Sequence, residues 1–242
     1  MKNKLRNILL QLGSFLYSNK DSKVLFYHDI HKANTYSQTS TSLDLFKEHI
    51  KIIRAESFEI VSEITRKKNQ IKLQLDDGYK GVYDCLEYLI EEKIPIEIFI
   101  ITSEIGNPNF LNEEQILELL NSGLVKISSH SHSHLELNQI DKKSLKYELE
   151  KSKEIIESLT KTTTNSICYP LGKFSSQVIK ECSLSNYEFQ YSSLAGSYYD
   201  NPFENVYRRN LVQFANTKEL KLVLKDANSI FNKLYFAKHF SR

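Results

Sequence analysis

The chain has few of the residues that cross-link or interrupt a fold: its 242 residues include three cysteines, four prolines, seven glycines and no tryptophan. The cysteines, Cys85, Cys168 and Cys182, are far apart and odd in number, which excludes a disulfide framework and a CxxC metal pair. Cys85 lies in an apolar helical pattern and fits a small buried hydrophobic residue. A chain of about 250 residues buries enough surface to be stable without cross-links, so we expect a hydrophobic core to hold the fold together.

An excess of charge of one sign is also lacking. The 32 basic and 30 acidic residues give a net charge of +2, and the short basic run Arg66–Lys68 fits a solvated loop. A protein that binds phosphate backbones usually presents a basic surface. We therefore expect no nucleic-acid partner.

The third absence is a long apolar run. The N-terminus is basic and then apolar, but the apolar stretch is short, is interrupted by polar residues and lacks a signal-peptide cleavage pattern. Apolar residues recur there at helical spacing (Leu5, Ile8, Leu9 and Leu12), so residues 1–22 are predicted to form an amphipathic helix packed on the domain. Peripheral membrane contact through this helix is the second interpretation. A cytoplasmic or membrane-peripheral location is favoured over export.

The sequence does contain a regular alternation of strand-like and helix-like segments. The predicted strands are Lys23–Tyr27, Phe58–Val61, Lys72–Leu75, Ile94–Ile101, Leu124–Ile127, Ser166–Tyr169, Glu188–Ser192 and Asn210–Phe214. The first predicted helix after the N-terminal one follows Ser42 as its N-cap. The next ones cover Val82–Glu91, Asn112 or Glu113 to Leu120, Ser144–Leu159 and Ser175–Ser183, and the last lies within residues 215–242.

This alternation is typical of parallel βα units. Seven or eight strands favour a (β/α) barrel over an open sheet. Because no repeat, linker or low-complexity tract divides the sequence, we expect residues 1–242 to form a single domain.

Candidate site residues lie at or just after the ends of four of these strands: His28, Asp76 with Asp77, the segment His130–His134, and Tyr169 with Pro170. In βα barrels the loops at the carboxyl ends of the strands build the active site. The four segments are therefore predicted to meet at one rim of the barrel.

The densest of these segments contains three of the seven histidines within five residues. His130 and His134, at i and i+4, would lie on one face of a helical turn, close enough to share a metal, and His132 would point elsewhere. The plainer interpretation is a polar turn with surface histidines. The clustering of the histidines after a strand argues against that interpretation.

Asp76 and Asp77 allow two interpretations. Adjacent carboxylates either cap a helix or bind a hard cation, or one binds a metal while its neighbour acts as a base. Two imidazoles and one carboxylate leave open coordination positions, as a catalytic zinc site requires. Such a site also accepts cobalt, nickel or manganese.

These motifs resemble those of the polysaccharide deacetylases with a NodB-homology domain (carbohydrate esterase family 4). LQLDDGY resembles the family's TFDDG motif, HSHSH its histidine motif and CYPLG its third motif, and the resemblance spans about residues 24–212. It implies a distorted seven-stranded (β/α) barrel. It also implies the roles of several residues: Asp76 as general base, Asp77, His130 and His134 as metal ligands, the backbone N–H of Leu171 as oxyanion donor, and Tyr79, Tyr169 and Pro170 as substrate contacts.

The sequence departs from the family in two places. Cys168 stands where the third motif usually has an arginine that orients the catalytic aspartate, and Arg209 is a candidate replacement. The C-terminal L-x-H motif is missing, and the remaining downstream histidine, His239, is expected in the tail. The opening VLFYH resembles the branch that includes poly-N-acetylglucosamine deacetylases, which implies His28 as the general acid. The plainer interpretation is that His28 forms a hydrogen bond at the barrel mouth.

Three functions follow from these residues. The first is metal-dependent removal of an N-acetyl group from an amino sugar of a bacterial surface polysaccharide or its precursor, with Zn²⁺ as the expected metal. The second is a deformylase or deacylase acting on a nucleotide- or lipid-linked sugar or another amide. The third is a catalytically inactive carbohydrate-binding protein, which the missing arginine of the third motif would favour.

Overall fold

The computed structural model describes residues 2–241, so Met1 and Arg242, the two ends of the predicted domain, lie outside the described residues. Within this range the α-helices are α1 (Lys2–Leu16), α2 (Leu43–Ala55), α3 (Gly81–Asp84), α4 (Leu86–Glu91), α5 (Glu113–Asn121), α6 (Lys142–Thr160), α7 (Ser176–Leu184), α8 (Thr217–Leu224) and α9 (Asn232–His239). The strands are β1 (Lys23–Tyr27), β2 (Asp29–His31), β3 (Ser40–Ser42), β4 (Glu59–Ile60), β5 (Gln70–Leu75), β6 (Ile96–Ile100), β7 (Val125–Ser129), β8 (Ser166–Cys168), β9 (Phe174–Ser175), β10 (Phe189–Tyr191), β11 (Val206–Tyr207), β12 (Asn210–Leu211) and β13 (Phe240–Ser241).

The main sheet is parallel and curls almost into a closed barrel. Its strand order is β11-β10-β8-β7-β6-β5-β1-β12, with β4 paired to the start of β5. The two ends of this order lie on one stretch of chain, because only Arg208 and Arg209 separate β11 from β12. One interrupted seventh strand therefore joins the two edges of the sheet. The expected distorted seven-stranded (β/α) barrel is confirmed.

Strands β1, β5 and β6 are buried along their length, as expected for parallel strands covered by helices. Apolar residues of β5 alternate with Lys72 and Gln74, and Asp76 continues the polar series at the same spacing of two. Inside the barrel, Lys72 lies 2.9 Å from Glu97, and Gln74 donates to the same carboxylate. These buried charges are thus paired rather than isolated.

The helices begin largely where the sequence predicts them. The hydroxyl of Ser42 accepts from the N–H of Leu45 at the start of α2, and Asn112 forms a capping box with Gln115 at the start of α5. The helix predicted over Val82–Glu91 is divided at Cys85 into α3 and α4.

Two further segments differ from the sequence prediction. The expected loop after His31 contains the short parallel pair β2–β3. The expected terminal helix is divided into α8, a 3₁₀ turn (Ala227–Phe231) and α9, because Asp226 adopts a left-handed conformation that ends α8. After α9, β13 pairs with β9.

The N-terminal helix α1 packs against α8 and the 3₁₀ turn. Leu10 is buried in this contact, and Gly13 permits close approach: a β-carbon there would lie 2.3 Å from the carbonyl oxygen of Ala227. Among the described helices, none is long and apolar enough to cross a membrane.

Replacing Gly13 by alanine is expected to displace α1, because the Ala227 oxygen belongs to the backbone and cannot rotate away. We expect a loss of about 1–3 kcal/mol in the free energy of unfolding and faster hydrogen exchange of α1 amides. Gln11→Ala is the matched control, since Gln11 is exposed on the same helix. Unchanged exchange in Gly13→Ala would contradict this packing.

Candidate metal centre and cleft

The carboxyl ends of the barrel strands open into a cleft of about 670 Å³. The structure brings nearly all of the predicted site residues to this cleft: His28, Asp76, Asp77, Tyr79, His130, His134, Tyr169, Leu171 and Arg209 border it. The remaining one, Pro170, is buried beside them. The expectation that four strand ends meet at one rim therefore matches the geometry.

The turn after β5 separates the two aspartates. Asp76 continues the strand, with its N–H donating to the carbonyl of Tyr27, whereas Asp77 adopts a left-handed φ of 71°. Gly78 follows with a φ of 83°, where a β-carbon would lie 2.9 Å from the side chain of Ile100. The turn thus points the two neighbouring carboxylates to different partners.

The histidine segment is an irregular loop, so the expected helical turn is wrong. Ser131 and His134 have positive φ values of 63° and 58°. This bend still brings the rings of His130 and His134 together, with their centroids 4.8 Å apart. His132 turns away, with its Nδ1 2.9 Å from Thr102 Oγ1.

The buried carboxylate of Glu148 holds this loop in place. It accepts from the backbone N–H groups of His132 and Ser133, at 2.9 Å and 2.8 Å, and from the Ser133 hydroxyl. Sequence reasoning missed Glu148, although a signal exists: it lies between Leu145 and Leu149 on the apolar face of α6. A charged residue at such a position is usually satisfied by a buried partner.

Three donor atoms converge at the loop. Asp77 Oδ1 lies 3.4 Å from His130 Nε2 and 3.6 Å from His134 Nε2. Ligands about 2.0–2.2 Å from a tetrahedral cation are about 3.3–3.6 Å apart, so these atoms fit one divalent cation with little movement. His130 Nδ1 lies 2.8 Å from the carbonyl oxygen of Cys168, which places the proton on Nδ1 and leaves Nε2 free to bind metal.

Asp76, His130 and Cys168 also have potential ligand atoms within 4.8 Å of one another. A cation already occupies that position, because the Arg209 guanidinium binds Asp76 through two hydrogen bonds of 2.7 Å and 2.9 Å. The same guanidinium contacts the sulfur of Cys168. We therefore place the candidate metal at Asp77, His130 and His134, which border the open cleft.

Arg209 reaches Asp76 from the seam between β11 and β12. It is 1% exposed, stacks 4.1 Å from the centroid of the Phe26 ring and donates to the carbonyl of Ser192. Burial alone would raise the pKa of Asp76, but the adjacent Arg209 charge lowers this pKa to about 2. The carboxylate is thus ionised at neutral pH, and an arginine faces it although Cys168 stands in the third motif.

His28 and Leu171 lie on other walls of the cleft. His28 Nδ1 forms a short hydrogen bond with the side-chain oxygen of Gln213, a partner that sequence reasoning missed. An oxygen acceptor there keeps the proton on Nδ1, so Nε2 is the ring nitrogen that Gln213 does not engage. Leu171 has a left-handed φ of 57° at the cleft edge.

The three expected substrate contacts differ in exposure. Tyr79 is half-buried, stacks on Phe110 with the ring centroids 4.7 Å apart and borders the cleft. Tyr169 has no exposed surface, and its hydroxyl donates to Gln190. Pro170 is also buried. Tyr79, Tyr169 and Pro170 stay predicted substrate contacts, and Tyr79 is the most exposed of the three.

His239 was expected in the tail, but it lies in the cleft wall. Strand β13 pairs with β9 and so brings the end of α9 against the loop that contains Leu171 and Gly172. Burial and nearby lysines lower the pKa of His239 to about 4. The position of His239 was hard to predict from sequence, because the pairing joins segments more than 60 residues apart.

The chain is similar in sequence to known proteins. The model of the family described as polysaccharide deacetylase matches residues 63–190. YxkH of Bacillus subtilis, provisionally named a polysaccharide deacetylase, is 25% identical over 198 residues, covering 76% of this chain and 70% of that protein. The poly-β-1,6-N-acetyl-D-glucosamine N-deacetylase of Staphylococcus aureus (strain MRSA252) is 24% identical over 192 residues, which cover 72% of this chain and 65% of the relative.

A solved structure supports the fold. The polysaccharide deacetylase BC0361 from Bacillus cereus superposes with a TM-score of 0.73 at 21% sequence identity, covering 85% of this chain and 69% of that one. In a barrel of this kind the loops at the carboxyl ends of the strands, where these carboxylates and imidazoles lie, build the active site. The family match covers slightly more than half of the chain. The chain belongs to the polysaccharide deacetylase family, whose enzymes hydrolyse linear amide bonds.

Proposed function

We propose that the protein is a metal-dependent deacetylase that removes the N-acetyl group from an amino sugar of a bacterial surface polysaccharide or its precursor. The observation that carries the proposal is the convergence of Asp77, His130 and His134 beside an Asp76 carboxylate fixed by Arg209. The S. aureus relative, named for poly-N-acetylglucosamine, supports the substrate class.

A divalent cation held by Asp77, His130 and His134 would supply Lewis-acid chemistry, which polarises the amide carbonyl and makes water more acidic. Zn²⁺ suits these donors, and Co²⁺, Ni²⁺ or Mn²⁺ are alternatives. Asp76 accepts the proton of the attacking water, and the paired Arg209 fixes the direction of its oxygens. The N–H of Leu171 donates to the oxyanion that develops on the carbonyl.

His28 gives a proton to the departing amine, so that acetate and a free amino sugar leave the cleft. Gln213 orients its ring through Nδ1. The other histidine in the cleft wall, His239, suits this role less well, because a pKa of about 4 leaves it without the needed proton at neutral pH.

The inactive binding protein loses its main support. That hypothesis rested on the missing arginine of the third motif, and Arg209 approaches Asp76 with bidentate geometry from another strand. The deformylase or deacylase hypothesis keeps the same site and differs in substrate alone.

The proposal is tested by acetate and formate release from a panel of N-acyl amino sugars, before and after metal removal and with each divalent cation added back. We expect acetate release that depends on the cation. In His134→Ala we expect metal affinity to fall by more than about 100-fold, beyond the ~10–100-fold effect of outer-shell partners.

His132→Ala is the matched control, because its imidazole is bonded to Thr102 instead. It should retain the metal. A protein that takes up no stoichiometric cation and releases no acyl group from any amino sugar would favour the inactive binding protein, and release of formate alone would favour the deformylase.

A further inference from the structure

One wall of the cleft is built by segments that lie outside the residues matched by the family model. The cleft is bordered there by Arg6 of α1, Asn228 of the 3₁₀ turn, and Tyr235 and Lys238 of α9. This wall brings basic and aromatic side chains to a site that the proposed chemistry does not otherwise use.

A second groove, of about 360 Å³, opens on the same wall. Its apolar lining comes from α1, from the last residue of the 3₁₀ turn and from the start of α9: Leu5, Leu9, Phe231 and Leu234. Arg6, Tyr235 and Lys238 line both the groove and the cleft. The two cavities therefore meet at these three residues, and one extended molecule can occupy both.

The junction is basic. Arg6 forms an ion pair of 2.9 Å with Glu219, which leaves part of its guanidinium facing the cavities. Lys238 forms no ion pair with a carboxylate in the described part of the chain. A monoanionic group held at this junction would meet at least one unneutralised cation.

Beyond the groove, α1 continues as an apolar surface. Ile8, Leu12 and Phe15 are 57%, 48% and 84% exposed, although α1 is docked on the domain by its opposite side. A contiguous apolar surface of this kind on a folded protein marks a contact with an apolar partner.

We propose that the natural substrate is a lipid-phosphate-linked N-acyl sugar, with its phosphate at Arg6 and Lys238 and the first part of its hydrocarbon chain in the groove. This inference rests on the proposed deacetylase function and narrows its substrate to a membrane-borne precursor. The order of the three surfaces (acyl-sugar cleft, basic junction, apolar groove) is the order of sugar, phosphate and lipid in such a molecule. A neutral polymer would leave both the basic junction and the groove without a partner.

Three synthetic probes test the inference: N-acetylglucosamine 1-phosphate as its dodecyl diester, the methyl diester, and dodecyl N-acetylglucosaminide without phosphate. Each is used below its micelle concentration, and both Kd and kcat/KM for acetate release are measured. We expect the dodecyl diester to have a Kd lower by roughly tenfold or more, and a kcat/KM higher by roughly tenfold or more, than either of the other two probes. It buries several methylene groups that the methyl diester lacks, and it carries the phosphate that the glycoside lacks.

Matched variants separate the groove from the rest of the surface. Leu234→Ser should reduce the preference for the dodecyl over the methyl diester by at least about fivefold. Leu184→Ser is the control, because Leu184 is exposed to a similar extent (64% against 67%) on α7 and should keep the full preference. Lys238→Gln should reduce the preference for the diester over the neutral glycoside.

Equal Kd and kcat/KM for the dodecyl and methyl diesters would overturn the inference while leaving the deacetylase function intact. The same holds if N-acetylglucosamine oligomers are hydrolysed and the dodecyl diester is not bound, or if a second copy of the chain covers the groove in solution. If the metal-loaded protein binds the dodecyl diester tightly but releases no acetate, that result would instead contradict the proposed function and support the assignment of the groove.

Discussion

Replacing Asp76 by asparagine is expected to lower kcat for acetate release by about 10²–10⁴-fold while the metal stays bound. Asparagine has nearly the same shape but cannot accept the proton of the attacking water. The three convergent donors, Asp77 with His130 and His134, are untouched by the change. The measurement is turnover of the metal-loaded variant, together with its metal content.

Asp77→Asn is the informative comparison, because the two aspartates are neighbours with different partners. The Asp77 variant should lose the metal and the activity together, and excess metal should restore part of both. The Asp76 variant should keep the metal and gain nothing from excess. A metal-loaded Asp76→Asn protein with more than one tenth of the normal turnover would remove Asp76 from the role of base.

Local sequence patterns predicted the barrel because each βα unit is a local structure. Buried apolar strands such as Lys23–Tyr27 and capped helices such as the one after Ser42 carry their signals within a few residues. The rim residues follow from the same patterns, since parallel strands place their carboxyl ends together. The sequence alone was therefore sufficient to place Asp77, His130 and His134 near one another.

The contacts that are hardest to obtain from sequence are long-range. Arg209, named from sequence as the candidate replacement for the third-motif arginine, reaches Asp76 across 133 residues, and Gln213, which sequence reasoning missed, reaches His28 across 185. These pairings arise because the last strand closes the barrel against the first, which a local pattern cannot encode. The irregular histidine loop was misjudged for a related reason: its His132 and Ser133 N–H groups bond to Glu148, 16 and 15 residues further along the chain on α6.

Replacing Arg209 by methionine is expected to lower the free energy of unfolding by about 3–5 kcal/mol, the usual effect of leaving a buried charge without its partner. Asp76 is 4% exposed, and burial would raise its pKa if Arg209 were not beside it. Asp76→Asn should also destabilise the protein, because it leaves the Arg209 guanidinium buried and unpaired. Urea unfolding at neutral pH measures both effects.

The double variant Asp76→Asn/Arg209→Met distinguishes a coupled ion pair from two separate structural roles. With both charges removed, neither group is left unpaired, so the double variant should be more stable than Arg209→Met alone by roughly 1–3 kcal/mol.

Arg208→Met is the control at the neighbouring position, where the guanidinium donates to backbone carbonyls and its carboxylate partner, Asp200, is largely exposed. Adding Asp76→Asn to Arg208→Met should give no such recovery, because these side chains share no contact among the described hydrogen bonds. If the losses of Asp76→Asn and Arg209→Met simply add, the two residues are not coupled. Arg209 would then stabilise the barrel seam without orienting the carboxylate. In that case no residue would replace the third-motif arginine, in whose position Cys168 stands.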